Sequence, residues 1–124
     1  MSAVVNMQIS VLIVDDDPGF GRAAAEMLAD RGYRVLGQAT SAADALALCE
    51  ELTPDALLVD VRLPDGDGAA LAAQLRARPQ PPVVLLTSSD AGAVPPETLR
   101  DSGASGFVPK AHLAVCDIDQ LLGR

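Results

Sequence analysis

Aromatic residues are scarce in this chain. It has 124 residues, no tryptophan, and only Phe20, Tyr33 and Phe107 as aromatics. The core must therefore be aliphatic, and each aromatic needs its own explanation. Positive charge is also short: nine Lys and Arg stand against seventeen Asp and Glu, for a net charge of −8. Such a surface repels nucleic acid, which excludes direct nucleic acid binding by this chain alone, and anionic membranes are disfavoured for the same reason. A cationic partner or a bound metal ion is favoured instead. The two cysteines, Cys49 and Cys116, fit no metal-site spacing and lie in apolar patterns read as helical, so they are expected to be buried free thiols. That fits a cytoplasmic location. No run is long and apolar enough to span a membrane, so no membrane insertion is expected. The opening "MSAVVNMQIS" lacks the basic-then-apolar order of a secretion signal.

What is present is an alternation. An apolar run from Ile9 to Val14 reads as a strand buried on both faces. "DPGFGRAAAEMLADRG" reads as a helix that Asp17 can cap, Pro18 can open and Gly32 can end. "YRVLGQA" is a second strand and "TSAADALALCEEL" a second helix, with Ser41 and Asp44 spaced as a capping box. "DALLVDV", "VVLLT" and "SGFVPK" supply three more strands. "RLPDGDG" reads as a loop, "AALAAQLRAR" as the third helix, and a short fourth helix begins near Pro96. The last helix is expected from about His112 to Leu122. Residues 1–8 read as a frayed lead-in, and 1–124 as a single domain.

Strands alternating with helices give a parallel sheet covered on both faces. Five units suggest an α/β, flavodoxin-like, doubly wound sheet in the order 2-1-3-4-5. Ligands of such sheets gather beyond the carboxyl ends of the strands, where the order switches between strands 1 and 3. The ends there are Asp15 and Asp16, Asp60, Thr87 and Ser88, and Lys110. Two like charges about 4 Å apart repel by around 4 kcal/mol at an effective dielectric of 20. Three carboxylates in one pocket thus call for a cation or for protons. Mg²⁺ suits an all-oxygen set and keeps several waters. A carboxylate beside such a cation and a lysine can act as a nucleophile toward phosphorus. Asp17 reads as a helix cap outside this group.

Four segments, "VLIVDDDP", "LLVDVRLPDGDG", "VVLLTSSD" and "GASGFVPK", each end a strand. Together they resemble the receiver domain of bacterial two-component response regulators, chemotaxis regulators included, from about Ile9 to Leu122. The resemblance implies that Asp60 accepts a phosphoryl group. It implies that Asp15, Asp16, Asp60 and the backbone carbonyl of Arg62 hold Mg²⁺. Thr87 would close on the phosphoryl group, Lys110 would pair with it, and Phe107 would be the aromatic switch. The implied partners are a histidine kinase or histidine phosphotransfer protein and a downstream effector, with a homodimer also allowed. The chain would be a phosphoacceptor signalling domain rather than an enzyme, although transfer and loss of the phosphoryl group would be self-catalysed.

Two features depart from the family. Ala111 follows Lys110, so the Lys-Pro bond common there cannot form. Pro95 and Pro96 should shorten helix 4 and remodel the surface that helix 4, strand 5 and helix 5 share. One rival reading is a receiver-like interaction domain that phosphorylation does not control. Another is an aspartyl-phosphate phosphatase, but that chemistry needs an acid two residues past the nucleophile, where this chain has Arg62. "PDGDG" starts like a calcium loop yet lacks the later acids. His112 lies outside the constellation and reads as a surface residue.

Overall fold

A computed structural model describes residues 8–123. The lead-in expected at 1–8 lies outside them, Gln8 excepted. The main-chain order is β1 (Ser10–Val14), α1 (Pro18–Asp30), β2 (Arg34–Ala39), α2 (Ala42–Leu52), β3 (Ala56–Asp60), β4 (Arg62–Leu63), β5 (Gly66–Asp67), α3 (Gly68–Arg76), β6 (Val83–Ser88), α4 (Pro96–Ser102), β7 (Gly106–Pro109), a 3₁₀ turn (Lys110–His112) and α5 (Ile118–Leu121). Five strands form one sheet in the order β2-β1-β3-β6-β7, and its pairings are all parallel. This is the expected flavodoxin-like arrangement.

The central strands carry apolar side chains on both faces because both faces are covered. Leu12, Val14, Leu57, Val59 and Leu86 pack toward α2, α3 and α4. Val11, Ile13, Leu58 and Leu85 pack toward α1 and α5. Cys49 lies in the first layer and Cys116 against the second, both as free thiols. A sheet between them keeps them apart, as the topology requires.

Helix ends follow local chemistry. Asp17 accepts from the amides of Gly19 and Phe20 and opens α1. Past its C-terminus, Gly32 takes φ +88°, and the amides of Gly32 and Tyr33 reach back to Ala29 and Leu28. Ser41 accepts from Asp44 N at 3.0 Å as a capping box requires. The return bond differs from that box: Asp44 accepts from Thr40 N rather than from the cap residue. Two further amides at this end, Ala42 and Ala43, donate to Asp65 from the distant β4–β5 turn.

Three expectations are corrected. "RLPDGDG" is not a plain loop: β4 and β5 pair antiparallel across a tight turn. The last helix does not run from His112 to Leu122. It is a 3₁₀ turn, then irregular chain, then a four-residue α5. The Arg31 guanidinium takes hydrogen bonds away from the helix by donating to the carbonyls of Ala114 and Cys116. Asp117 then caps a fresh start by accepting from Gln120 N. Cys116 accordingly sits outside any helix and is half-buried rather than fully buried. The α4 helix is indeed short, seven residues starting at Pro96.

Candidate functional site

The carboxyl ends of β1 and β3 are adjacent, and they bring their acids together. Asp15 extends β1, with its amide donating to Ala39 O at 2.9 Å. It is fully buried, and Asp60 at the end of β3 is nearly so. Asp16, next in the chain, stays exposed. One oxygen from each of Asp15, Asp16 and Asp60 lies within 4.8 Å of the others. Lys110, just past β7, places its Nζ 2.8 Å from Asp15 Oδ2 and 3.0 Å from Asp60 Oδ2. Of the six groups expected at this edge, Asp15, Asp16, Asp60 and Lys110 lie together, whereas the hydroxyls of Thr87 and Ser88 bond elsewhere, to Val108 O and Asp90 N.

The second oxygens of both buried acids are held by the main chain. Asp17 N donates to Asp15 Oδ1 at 2.8 Å, and Arg62 N donates to Asp60 Oδ1 at 3.1 Å. The Arg62 side chain leads away from the pocket toward Asp90, 3.6 Å distant on the surface. Burial pushes the Asp15 carboxyl above its ordinary range, against the opposing pull of Lys110 and the Asp17 amide. Burial also disfavours the charged form of Lys110, but Asp15 and Asp60 together outweigh it and raise the ammonium above its usual value. Lys110 therefore stays charged at neutral pH.

Three carboxylates against one ammonium leave an excess of negative charge. Asp15 Oδ2 is also buried without a well-directed hydrogen bond, although Lys110 faces it as an ion pair. An all-oxygen donor set with an orphaned lone pair suits a small hard divalent cation. Zinc or another soft metal would ask for His or Cys, and neither is present in this cluster.

Thr87 and Phe107 are near this edge but not aimed into the pocket. Thr87 pairs in register with Asp60, yet its hydroxyl donates to Val108 O at 2.7 Å. Phe107 is half-buried against the layer containing Val84, Leu86 and Leu99. His112 is exposed, as expected.

Two contributors escaped the sequence reading. Phe20 on α1 lies under Lys110, with Nζ 4.1 Å from the ring centroid. Its ring steadies the ammonium by a cation–π contact. Gly68 opens α3 where a Cβ would sit 2.5 Å from Asp60 O and 2.9 Å from Val59 Cγ1. Only glycine lets α3 begin against the strand that carries Asp60. The signal was visible in "PDGDG", but a turn explained both glycines equally well.

The sequence profile of the response regulator receiver domain matches residues 11–121. The chain is 38% identical over 104 residues to the response regulator GacA of Pseudomonas aeruginosa, covering 82% of this chain and 48% of that protein. It is 35% identical over 101 residues to the transcriptional regulatory protein PdtaR of Mycobacterium tuberculosis, with 81% of this chain and 48% of that protein covered. The chain thus spans about half the length of these curated relatives. Among solved structures, the BeF₃-activated N-terminal receiver domain of Klebsiella pneumoniae RstA superposes with a TM-score of 0.79 at 25% identity, over 93% of this chain and 99% of that one. With this fold and the profile match over nearly its whole described length, the chain belongs to the family of response regulator receiver domains of two-component signalling.

Proposed function

We propose that Asp60 is the phosphoacceptor of a Mg²⁺-dependent switch. The observation that supports this best is the position of its carboxylate, between the acidic pair and the Lys110 ammonium. Transfer would break the P–N bond of a phosphohistidine and form a P–O bond to a carboxylate oxygen of Asp60. The donor would be a histidine kinase or a histidine phosphotransfer protein, and the imidazole would leave with the electron pair. Asp15, Asp16, Asp60 and the Arg62 carbonyl would hold Mg²⁺. Bound there, the ion would offset the charge of the acids and of the phosphoryl oxygens.

Lys110 would move from the Asp60 carboxylate to a phosphoryl oxygen, a short step because it already lies beside that acid. Thr87 would give up Val108 O and donate to the phosphoryl group instead. That frees a buried carbonyl on β7 and alters the packing next to Phe107. The β7 edge and the short α4 would then present a changed surface to an effector or a second copy. No helix among the described residues is long and apolar enough to cross a membrane, and we assign the switch to the cytoplasm with its kinase.

Phosphorylation with acetyl phosphate and Mg²⁺ tests this reading. Wild type should gain one base-labile phosphate, and Asp60→Asn none. Uptake by Asp60→Asn would move the acceptor elsewhere. No uptake by wild type from any donor, with Mg²⁺ still bound, would favour an interaction domain that phosphate does not control.

A further inference from the structure

The acidic pair sits on a connection of only three residues, 15–17, between β1 and α1. Asp15 has its own restraints, but Asp16 makes no side-chain hydrogen bond or ion pair among the described residues. Its position rests on its backbone alone. That backbone is gripped from β2. Gln38 Nε2 donates to Asp15 O at 2.9 Å and to Asp17 O at 3.1 Å, the carbonyls on either side of Asp16. Two carbonyl acceptors identify that end of the amide as its NH₂ group.

The grip depends on α1. Gln38 stands opposite Ile13 on β1, on the face that α1 covers. Gly21 is buried there, and a Cβ on it would lie 2.0 Å from Gln38 Oε1 and 2.2 Å from Cδ. A glycine thus leaves a notch, and the Gln38 amide occupies it. With any larger residue at 21 the amide would have to leave, and both carbonyls would lose the Gln38 donor, with the amide of residue 21 still reaching Asp17 O but not Asp15 O.

We propose that Gln38, seated in the Gly21 notch, is a positioning residue for the Asp15–Asp16 pair and sets the affinity for the divalent cation. The inference rests on the reading that this pair holds Mg²⁺. Gln38 touches neither ion nor phosphoryl group. It fixes the loop that aims Asp16, whose carboxylate has no other anchor. Removing outer partners of metal ligands commonly weakens metal binding by about 10- to 100-fold. A grip on the backbone rather than on a ligand atom belongs at the lower end, about tenfold.

The test is Mg²⁺ titration calorimetry on the full chain, paired with thermal melts in EDTA. Gln38→Leu keeps most of the bulk without donors, and Gly21→Ala keeps Gln38 but fills the notch. Leu28→Val, buried on the same face and remote from the loop, serves as a purely structural control. Both site variants should raise the Mg²⁺ Kd about tenfold. Leu28→Val should lower the melting temperature and leave Kd unchanged. If Gln38→Leu fails to fold, Gly21→Ala decides by the same criterion. A folded Gln38→Leu or Gly21→Ala protein with the wild-type Kd overturns the inference while leaving the metal site intact. A wild type that binds no Mg²⁺ overturns the metal reading, and this inference with it.

Discussion

Among the described residues Lys110 is the sole ammonium facing the two buried carboxylates, and its removal separates electrostatics from packing. In EDTA, Lys110→Met leaves Asp15 charged and unpaired or forces it to take up a proton. Orphaning a buried charged group costs about 2 kcal/mol or more. The urea midpoint in EDTA should therefore fall. Mg²⁺ affinity should move the other way and rise several-fold, since the positive charge that offsets the acids beside the cation is gone. Calorimetry showing weaker Mg²⁺ binding in Lys110→Met would mean that Lys110 orders the acids rather than offsetting their charge. Gly68 gives a second prediction at this scale. A Cβ at 68 would press on the Asp60 carbonyl, which is backbone and cannot turn aside. Gly68→Ala should lower stability by about 1–3 kcal/mol, the usual range for overpacking, and slow acetyl phosphate uptake. An unchanged rate and melting curve would show that α3 can shift away at no cost.

Single residues were read well where their role is local. Asp17 as a cap and Gly32 as a helix stop needed only the chain near them. Asp15, Asp60 and Lys110 needed the strand order as well, and the alternation of apolar runs supplied it. Thr87 shows the limit: its place on the edge was legible, but the direction of its hydroxyl depends on Val108 in another strand.

Among elements, the final helix is the instructive miss. The stretch from His112 to Leu122 has enough apolar residues to suggest one helix. Two of its carbonyls, Ala114 O and Cys116 O, accept from Arg31 at the end of α1, which no local pattern could reveal. The link between the β4–β5 turn and α2 is equally non-local. Asp65 accepts from Ala43 and Ala42, and those backbone bonds lower its carboxyl pKa below the ordinary 3.8. The sign follows directly. A carboxylate favoured by the fold adds stability above its unfolded pKa, and that share is lost as pH falls through the lower folded value. Wild type should therefore be more stable than Asp65→Ala at pH 7, with the gap closing as pH drops below about 4. Melting curves across pH that keep a constant gap would assign the contribution to packing of the turn instead. The expected gap is greatest where Asp65 is fully ionised, so it also separates this contact from the other acids, which titrate in both proteins.

For the whole molecule, the decisive quantity is charge. The chain carries a net −8, yet at one sheet edge three acids converge, and a single lysine pairs with two of them. The folded chain gathers that local excess, and an unfolded chain does not. Any cation that binds only the folded arrangement must stabilise it by mass action, by about 2.7 kcal/mol at a hundredfold excess over Kd. Mg²⁺ should thus raise the melting temperature in a concentration-dependent way. Asp16→Asn is the cleanest probe because Asp16 is exposed and unpaired among the described residues, so its loss breaks no internal contact. That variant should melt at or above the wild-type temperature in EDTA, because one repelling charge is gone. It should also lose most of the Mg²⁺-induced increase. Monovalent salt at equal ionic strength should reproduce only the small part due to screening. If Asp16→Asn responds to Mg²⁺ as strongly as wild type, the ion is answering the diffuse surface charge, and the convergence of Asp15, Asp16 and Asp60 is not its site.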